Sequence, residues 1–433
     1  MRKIFVLLLL FSFNKKTEAQ FLMDMLDTTK EAGKGLLGIY KKFDHVRIGG
    51  YIQPQFQVAQ AEGAKSFEGG DFGTHVSNRF MLRRSRIRID YVHLKSKGNE
   101  PGVQIVFQFD ANERSFTVRD VWGRIFENNL ELFSFTMGMF ARPFGFEANL
   151  SSSDRETPER GRMSQTLIKS ERDLGAMVSF DVRKEKHPLK MIKIDAGFFN
   201  GQGINVTGEF DNKKDFISRI SLKPLPINQK LSLSAGISIL KGGLLQNTKY
   251  VYSTVSSNNE KKVMIDSAAS NEGHYSPRNY KGADLQLKFK NKTGFTEIRG
   301  EYITGTQTGT ATSSETPSAL VSGRDGFYRR NFNGAYFYFL QHLFSLRHQL
   351  AIKYDWYDPN TKVKGREIGV AGSNFTAADI KYSTLNIGYN YMVSPMAKLS
   401  LFYAIVKNEN TALSGYTSNV RDNVFTTRIQ FRF

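Results

Sequence analysis

The stretch from Asp422 to Phe433 changes residue type at every second position. Phe425, Thr427, Ile429, Phe431 and Phe433 fall on one side of an extended strand, and Thr426, Arg428, Gln430 and Arg432 fall on the other. Side chains alternate faces along a strand, so one face is mostly apolar and the other polar. The same period recurs upstream. Leu285, Leu287 and Phe289 oppose Gln286, Lys288 and Lys290; Leu231, Leu233, Ala235, Ile237 and Ile239 oppose Ser232, Ser234, Gly236 and Ser238. In Leu350–Tyr357, Leu350, Ile352, Tyr354 and Trp356 oppose Lys353 and Asp355. Leu399–Val406 fits less well, because Phe402 lands on the polar side.

The connectors carry the next constraint. Short ones lie near Ser96–Gly102, Glu127–Glu131, Lys184–Lys190, Pro224–Gln229, Asn291–Gly294, His342–Arg347 and Val393–Ala397. Long polar ones lie near Gln60–Asn78, Arg142–Arg172, Asn200–Lys214, Gly242–Lys281, Gly305–Phe332, Asp358–Ile380 and Asn408–Asp422, and Asn112–Phe116 is a brief member of this second set. The strands between them number sixteen, with both chain ends on the same side. An even number of strands near ten residues, tight turns on one rim and large loops on the other predict an all-β fold, a membrane-spanning antiparallel barrel of 16 strands. Such a barrel leaves a water-filled lumen. A propeller would repeat a blade motif at a period near 40 residues, and none is present. The terminal strand, ending on phenylalanine, resembles the closing strand of Gram-negative outer-membrane barrels, which the barrel-assembly machinery recognises.

The amino terminus agrees with export. Arg2 and Lys3 precede the apolar run Ile4 to Phe13, then Thr17-Glu18-Ala19, so residues 1–19 read as a signal peptide cut after Ala19 or Gln20. That run is too short for a helical span. Residues 20–45 show loose helical spacing (Leu22, Met25, Leu26, then Leu36, Leu37, Tyr40), interrupted by Gly33 and Gly35, and read as a periplasmic segment ahead of a barrel over 46–433. The absence of cysteine excludes disulfide frameworks, thiolate metal sites and cysteine nucleophiles.

The formal charge is +19, and removing residues 1–19, with their net +3, leaves +16. For an exported chain, lipopolysaccharide outside or anionic solutes within explain that excess better than nucleic acid does. The densest signal is Arg83-Arg84-Ser85-Arg86-Ile87-Arg88. Arg84, Arg86 and Arg88 share one face with Asp90, and Ile87, Ile89 and Tyr91 take the other. Charge on a lipid face near the midplane costs about 2–4 kcal/mol, so these arginines are expected to point inward. Guanidinium groups stay protonated and grip oxyanions bidentately. Arg124, Lys353 and Arg428, on the polar faces of their own strands, join them as candidate pore-lining, anion-binding residues. The plainer reading is an electrostatic rim of a general diffusion pore, partly neutralised by Asp90 and other carboxylates.

The chain resembles the phosphate-selective porins O and P. The resemblance runs through Gly50-Tyr51-Ile52-Gln53, the arginine run, Phe107-Gln108-Phe109-Asp110 and Arg119-Asp120. Its most specific part is Gly138-Met139-Phe140-Ala141-Arg142-Pro143-Phe144-Gly145-Phe146-Glu147 followed by Glu171-Arg172-Asp173-Leu174-Gly175, and Tyr354 to Asn360 with the terminal strand complete it. It implies a sixteen-stranded barrel, commonly a homotrimer, whose third external loop folds inward as the constriction. That loop would be Arg142–Arg172, carrying Arg142, Arg155, Arg160, Arg162, Lys169 and Arg172. Glu147, Asp154, Glu156, Glu159 and Glu171 nearly balance them, a departure that bears on phosphate specificity.

The reading is therefore a passive porin for small anions, with phosphate or a related oxyanion foremost, and no cofactor or turnover. A weakly selective general or organic-anion pore is the alternative; an outer-membrane enzyme or adhesin barrel ranks lower. Seven scattered histidines show no metal-ligand spacing. Asp355, Asp358 and Asn360 read as a strand end and Asx-Pro turn before they read as a calcium site. No Gly-x-Ser-x-Gly elbow occurs.

Overall fold

The computed structural model describes residues 45–433, apart from 95–100, 205, 207, 258 and 259. The expected signal peptide, almost all of the 20–45 segment and most of the connector at Ser96–Gly102 lie outside the described residues. The strands are β1 (Val46–Ala59), β2 (Asn78–Leu94), β3 (Pro101–Ala111), β4 (Phe116–Phe126), β5 (Phe133–Ala141), β6 (Arg172–Asp181), β7 (Ile192–Phe199), β8 (Asp215–Pro226) and β9 (Leu231–Leu245). They continue with β10 (Val251–Ser257), β11 (Glu260–Asp266), β12 (Tyr275–Asn291), β13 (Gly294–Gly309), β14 (Phe327–His342), β15 (His348–Asp358), β16 (Tyr382–Ser394), β17 (Ala397–Asn408) and β18 (Val424–Arg432). A single helical turn and a half, α1 (Arg162–Leu167), sits in the third external loop.

Each strand from β1 to β9 pairs antiparallel with the next, β9 pairs with β12, and the series runs on to β18. β18 pairs back onto β1, from Tyr51↔Arg432 to Ala59↔Val424, and closes a cylinder of sixteen strands. The strand count and alternation of connectors follow the sequence pattern. One connector differs. The stretch Gly242–Lys281, read as a loop, carries the β10–β11 hairpin, which leaves the wall and lies in parallel against the start of β14.

The period-two pattern sorts the faces. Along β15, Tyr354 is exposed outward and its neighbours Lys353 and Asp355 are buried inward. Along β9, Ile237 faces out and Ser238 in. Phe402 does lie inside, as its parity requires, and its ring covers Gly388 on the paired strand. A glycine beneath an inward aromatic lets one strand carry a large side chain without pushing the wall apart.

Two bulges break the alternation where it matters. Between Ile52↔Ser85 and Pro54↔Leu82 two residues, Arg83 and Arg84, oppose Gln53 alone. Between Gln108↔Asp120 and Phe109↔Val118, Arg119 is the extra residue. A bulge turns consecutive side chains to one face. Arg83 and Arg84 therefore both reach the lumen, as do Arg119 and Asp120.

Candidate functional site

The third external loop, residues 142–171, crosses the lumen, and its attachments differ from side to side. Toward β12–β15 it packs as a small apolar core: Phe144, Ala148, Met163, Leu167 and Ile168 lie with Tyr280, Phe332, Tyr336, Tyr338 and Tyr357. Gly334 admits Met163, whose sulfur would stand 2.9 Å from a β-carbon there. Glu147 accepts from Tyr338 Oη (2.9 Å), Ser164 Oγ (2.6 Å) and the Gly161 N–H (3.0 Å), which ties the loop to itself and to the wall. Glu301 of β13 accepts from the backbone N–H groups of Phe146 (3.0 Å) and Glu147 (3.1 Å).

Toward β1, β2 and β18 the loop is held by charge. Glu159, 2% exposed at its side chain, pairs with Arg83 (2.9 Å), Arg84 (2.6 Å) and Arg428 (2.8 Å). Burial would raise its carboxyl, but Arg83, Arg84 and Arg428 outweigh burial and hold it well below the usual carboxylate range. Arg428 also donates to the Pro158 carbonyl (2.6 Å), and Lys353 Nζ to the Glu159 carbonyl (3.2 Å). Arg86 reaches Asp110 (2.9 Å), Tyr51 Oη (2.8 Å) and Ser152 Oγ (2.8 Å). Glu156 pairs with Arg299.

Four of the six pore-lining candidates thus contact the loop directly: Arg84, Arg86, Lys353 and Arg428. The other two face open space. Arg88 is half-exposed and paired with Asp90 at 2.7 Å. Arg124 donates to Thr136 Oγ1 (2.8 Å), lies over the Trp122 ring at 5.0 Å, and makes no ion pair among the described residues.

The loop cations divide similarly. Arg160 and Arg119 converge on Glu171 at 3.0 and 2.8 Å, and Arg172 reaches Asp120 at 3.3 Å. Burial opposes ionisation of Glu171, yet Arg160, Arg119 and Arg172 hold its carboxyl well below the usual range. Arg142 donates to the Ser170 carbonyl and stands 3.8 Å from Asp173. Arg162 lies between the rings of Phe67 (4.2 Å) and Tyr382 (3.7 Å). Lys169 pairs with Glu315 at 2.6 Å near the solvent. Arg155 stands apart. It is 4% exposed, and its Nε and Nη1 have no hydrogen-bond partner among the described residues. Burial and then the neighbouring charges of Arg84 and Arg160 pull its pKa below the usual arginine value.

Arg155 borders a chamber of about 520 Å³ with Arg47, Arg86, Arg88, Arg119 and Arg172. Arg88, Asn149 and Arg172 also border a second space of about 300 Å³ beside Trp122, Arg124 and Arg219. Arg219 and Ser221 lead on to a third, of about 380 Å³. Open volume therefore runs beside the loop along the β1–β9 wall, and the apolar side of the loop is packed against β12–β15. Arg83 and Arg119 are the residues that strict alternation misses. A bulge leaves no reliable mark in residue type, although two adjacent arginines in a strand are a hint, since one of them would otherwise face lipid. Asp358 accepts the Asn360 N–H at 3.1 Å, the Asx turn that the Asp-Pro-Asn sequence predicts.

No protein-family model and no curated protein matches the chain. Solved structures do. Pseudomonas putida OprB is 9% identical with a TM-score of 0.57, over 94% of this chain and 98% of that one. The outer membrane channel DcaP of Acinetobacter baumannii is 14% identical with a TM-score of 0.53, over 90% and 97%. Salmonella typhi OmpF, in complex with daunomycin, is 11% identical with a TM-score of 0.52, over 90% and 97%. At these identities the likeness establishes the fold, a closed sixteen-stranded porin-type barrel.

Proposed function

We propose that this chain is an outer-membrane channel of the phosphate-selective porin type, through which small anions diffuse passively, phosphate or a related oxyanion foremost. The observation that carries this reading is Arg155, a buried guanidinium with two unpartnered nitrogens on the border of an arginine-rich chamber. A buried cation without a counter-ion is costly, and a diffusing anion would relieve that cost. Arg88 and Arg124, next along the open wall, would take the anion onward. Weak sites in series allow passage, because each binds enough to admit the ion and too little to keep it. Assembly as a homotrimer within phospholipid and lipopolysaccharide belongs to the same proposal.

The near balance of charge supports the alternative, a weakly selective pore for organic or general solutes, since most lumenal arginines already face carboxylates. Planar-bilayer recording separates the two. The oxyanion reading expects an anion-preferring reversal potential in a salt gradient and block of chloride current by phosphate. Arg155→Gln should weaken that block severalfold. A cation-preferring reversal potential, or chloride current indifferent to phosphate, refutes it.

A further inference from the structure

The first external loop, residues 60–77, also enters the lumen and braces the constriction. Ala64 and Phe72 pack on Ala59 and Val424 at the barrel seam. Gln165 of α1 donates to the Phe67 carbonyl at 2.8 Å, and the Arg162 guanidinium lies 4.2 Å from the Phe67 ring. Next in sequence is Glu68, buried between this loop, α1 and the wall. Its carbonyl accepts from Gln57 of β1, and its carboxylate accepts one hydrogen bond among the described residues, from Asn386 Nδ2 of β16 at 3.4 Å.

The charges facing Glu68 come from three other elements. β15 contributes Lys353 and Asp355, the third loop contributes Glu159, and α1 contributes Arg162. Lys353 is already 3.6 Å from Asp355, and Glu159 is taken by its three arginines. Of the three carboxylates Glu68, Asp355 and Glu159, Glu68 is the one left without a close cation. Among the described residues it forms no ion pair.

We propose that the first loop is a pH-responsive strut: with Glu68 protonated it holds α1 in place, and with Glu68 ionised it withdraws from the lumen and widens the passage. This regulation rests on the channel reading above. Burial pushes the Glu68 carboxyl up to about 7, against the pull of Lys353 and with help from Glu159 and Asp355. A carboxyl raised in the docked loop favours docking fully below its ordinary range, and the advantage disappears as pH rises through about 7.

The chain has no cysteine, so Ala64→Cys supplies a single reporter on the loop. Its labelling by a membrane-impermeant maleimide is compared in the full chain with Glu68 and with Glu68→Gln, which cancels the thiol's own titration. The ratio of the two rates should rise by roughly one to two orders of magnitude between about pH 5 and about pH 8, the span that a shift from 4.5 to about 7 allows. In bilayers, conductance of the unlabelled wild-type chain should climb over the same interval, and Glu68→Gln, an isosteric mimic of the protonated form, should hold the low value throughout. A constant labelling ratio, or a Glu68→Gln channel that still climbs, overturns the strut. An anion-preferring current that ignores pH leaves the channel reading standing; absence of any current would refute that reading instead.

Discussion

Replacing Glu159 by glutamine tests whether the constriction is clamped by charge. The carboxylate serves three guanidinium groups at 2.6 to 2.9 Å, and its side chain is 2% exposed. Glutamine keeps the shape and one acceptor but removes the charge. Arg84 and Arg428, both buried, then lose their only counter-ion among the described residues. Breaking one partner of a buried pair costs about 3–5 kcal/mol, because the remaining charge stays desolvated. At about 1.4 kcal/mol per decade, the detached state of the clamped segment gains two to three decades or more in relative population. The apolar attachment through Phe144, Met163 and Leu167 is untouched, so residues 150–160 should fray and leave the rest of the loop seated. Single-channel recording should then show larger, noisier currents, with stronger anion preference from the freed arginines. Adding Arg84→Ala to Glu159→Gln should cost little more, because the two residues act as one unit. The depressed Glu159 carboxyl gives a matching pH signature: the clamp is whole above the ordinary carboxylate range and weakens only as pH falls well below it. Wild-type amplitude and noise in Glu159→Gln would refute the clamp.

Arg124→Gln removes a lumenal cation that has no carboxylate partner among the described residues, so the reversal potential should move toward zero with conductance amplitude retained; an unmoved potential would place Arg124 off the permeation path. Gly388→Ala puts a methyl group where the Phe402 ring lies, and the overpacking should cost about 1–3 kcal/mol, read as an earlier denaturation midpoint by gel mobility. Lys169→Ala breaks an ion pair near the solvent, where side-chain entropy and screening leave a net value of about 0–1 kcal/mol, so the same midpoint should scarcely shift.

The cylinder was legible because its information is local. Each strand announces its two faces within ten residues, as Leu231 to Ile239 does, and each turn announces its rim by length. Even Phe402, which broke the pattern, lay on the side its parity assigned; only its partner Gly388 was hidden, since cross-strand neighbours are not adjacent in sequence. The site was legible to the level of residue type and no further. Arg84, Arg86 and Arg428 were identifiable as inward cations, but what they face is Glu159 and Ser152, delivered by a loop from elsewhere in the chain. Composition could say that the third loop was nearly neutral. It could not say that neutrality would be achieved against the wall, with Arg155 left over.

The two attachments of that loop follow from where each lies. A segment inside a wet lumen can bury apolar surface only where the wall also offers it, and tyrosines on β12, β14 and β15 supply such a shelf. Toward β1, β2 and β18 residues 152–159 of the loop meet polar and charged side chains instead of an apolar shelf. Charge can hold the loop, but a buried carboxylate must recover its lost hydration from several donors at once. One strand at ordinary period presents an inward side chain only at every second residue, about 7 Å apart. The β2 bulge removes that spacing and brings Arg83 and Arg84 together on one carboxylate, with Arg428 closing from β18. Straightening the bulge, by deleting Arg83, should therefore loosen the loop as Glu159→Gln does, with Arg84 and the rest of the strand still in register beyond it; a deletion channel with wild-type conductance would mean that the irregularity serves the wall and not the constriction.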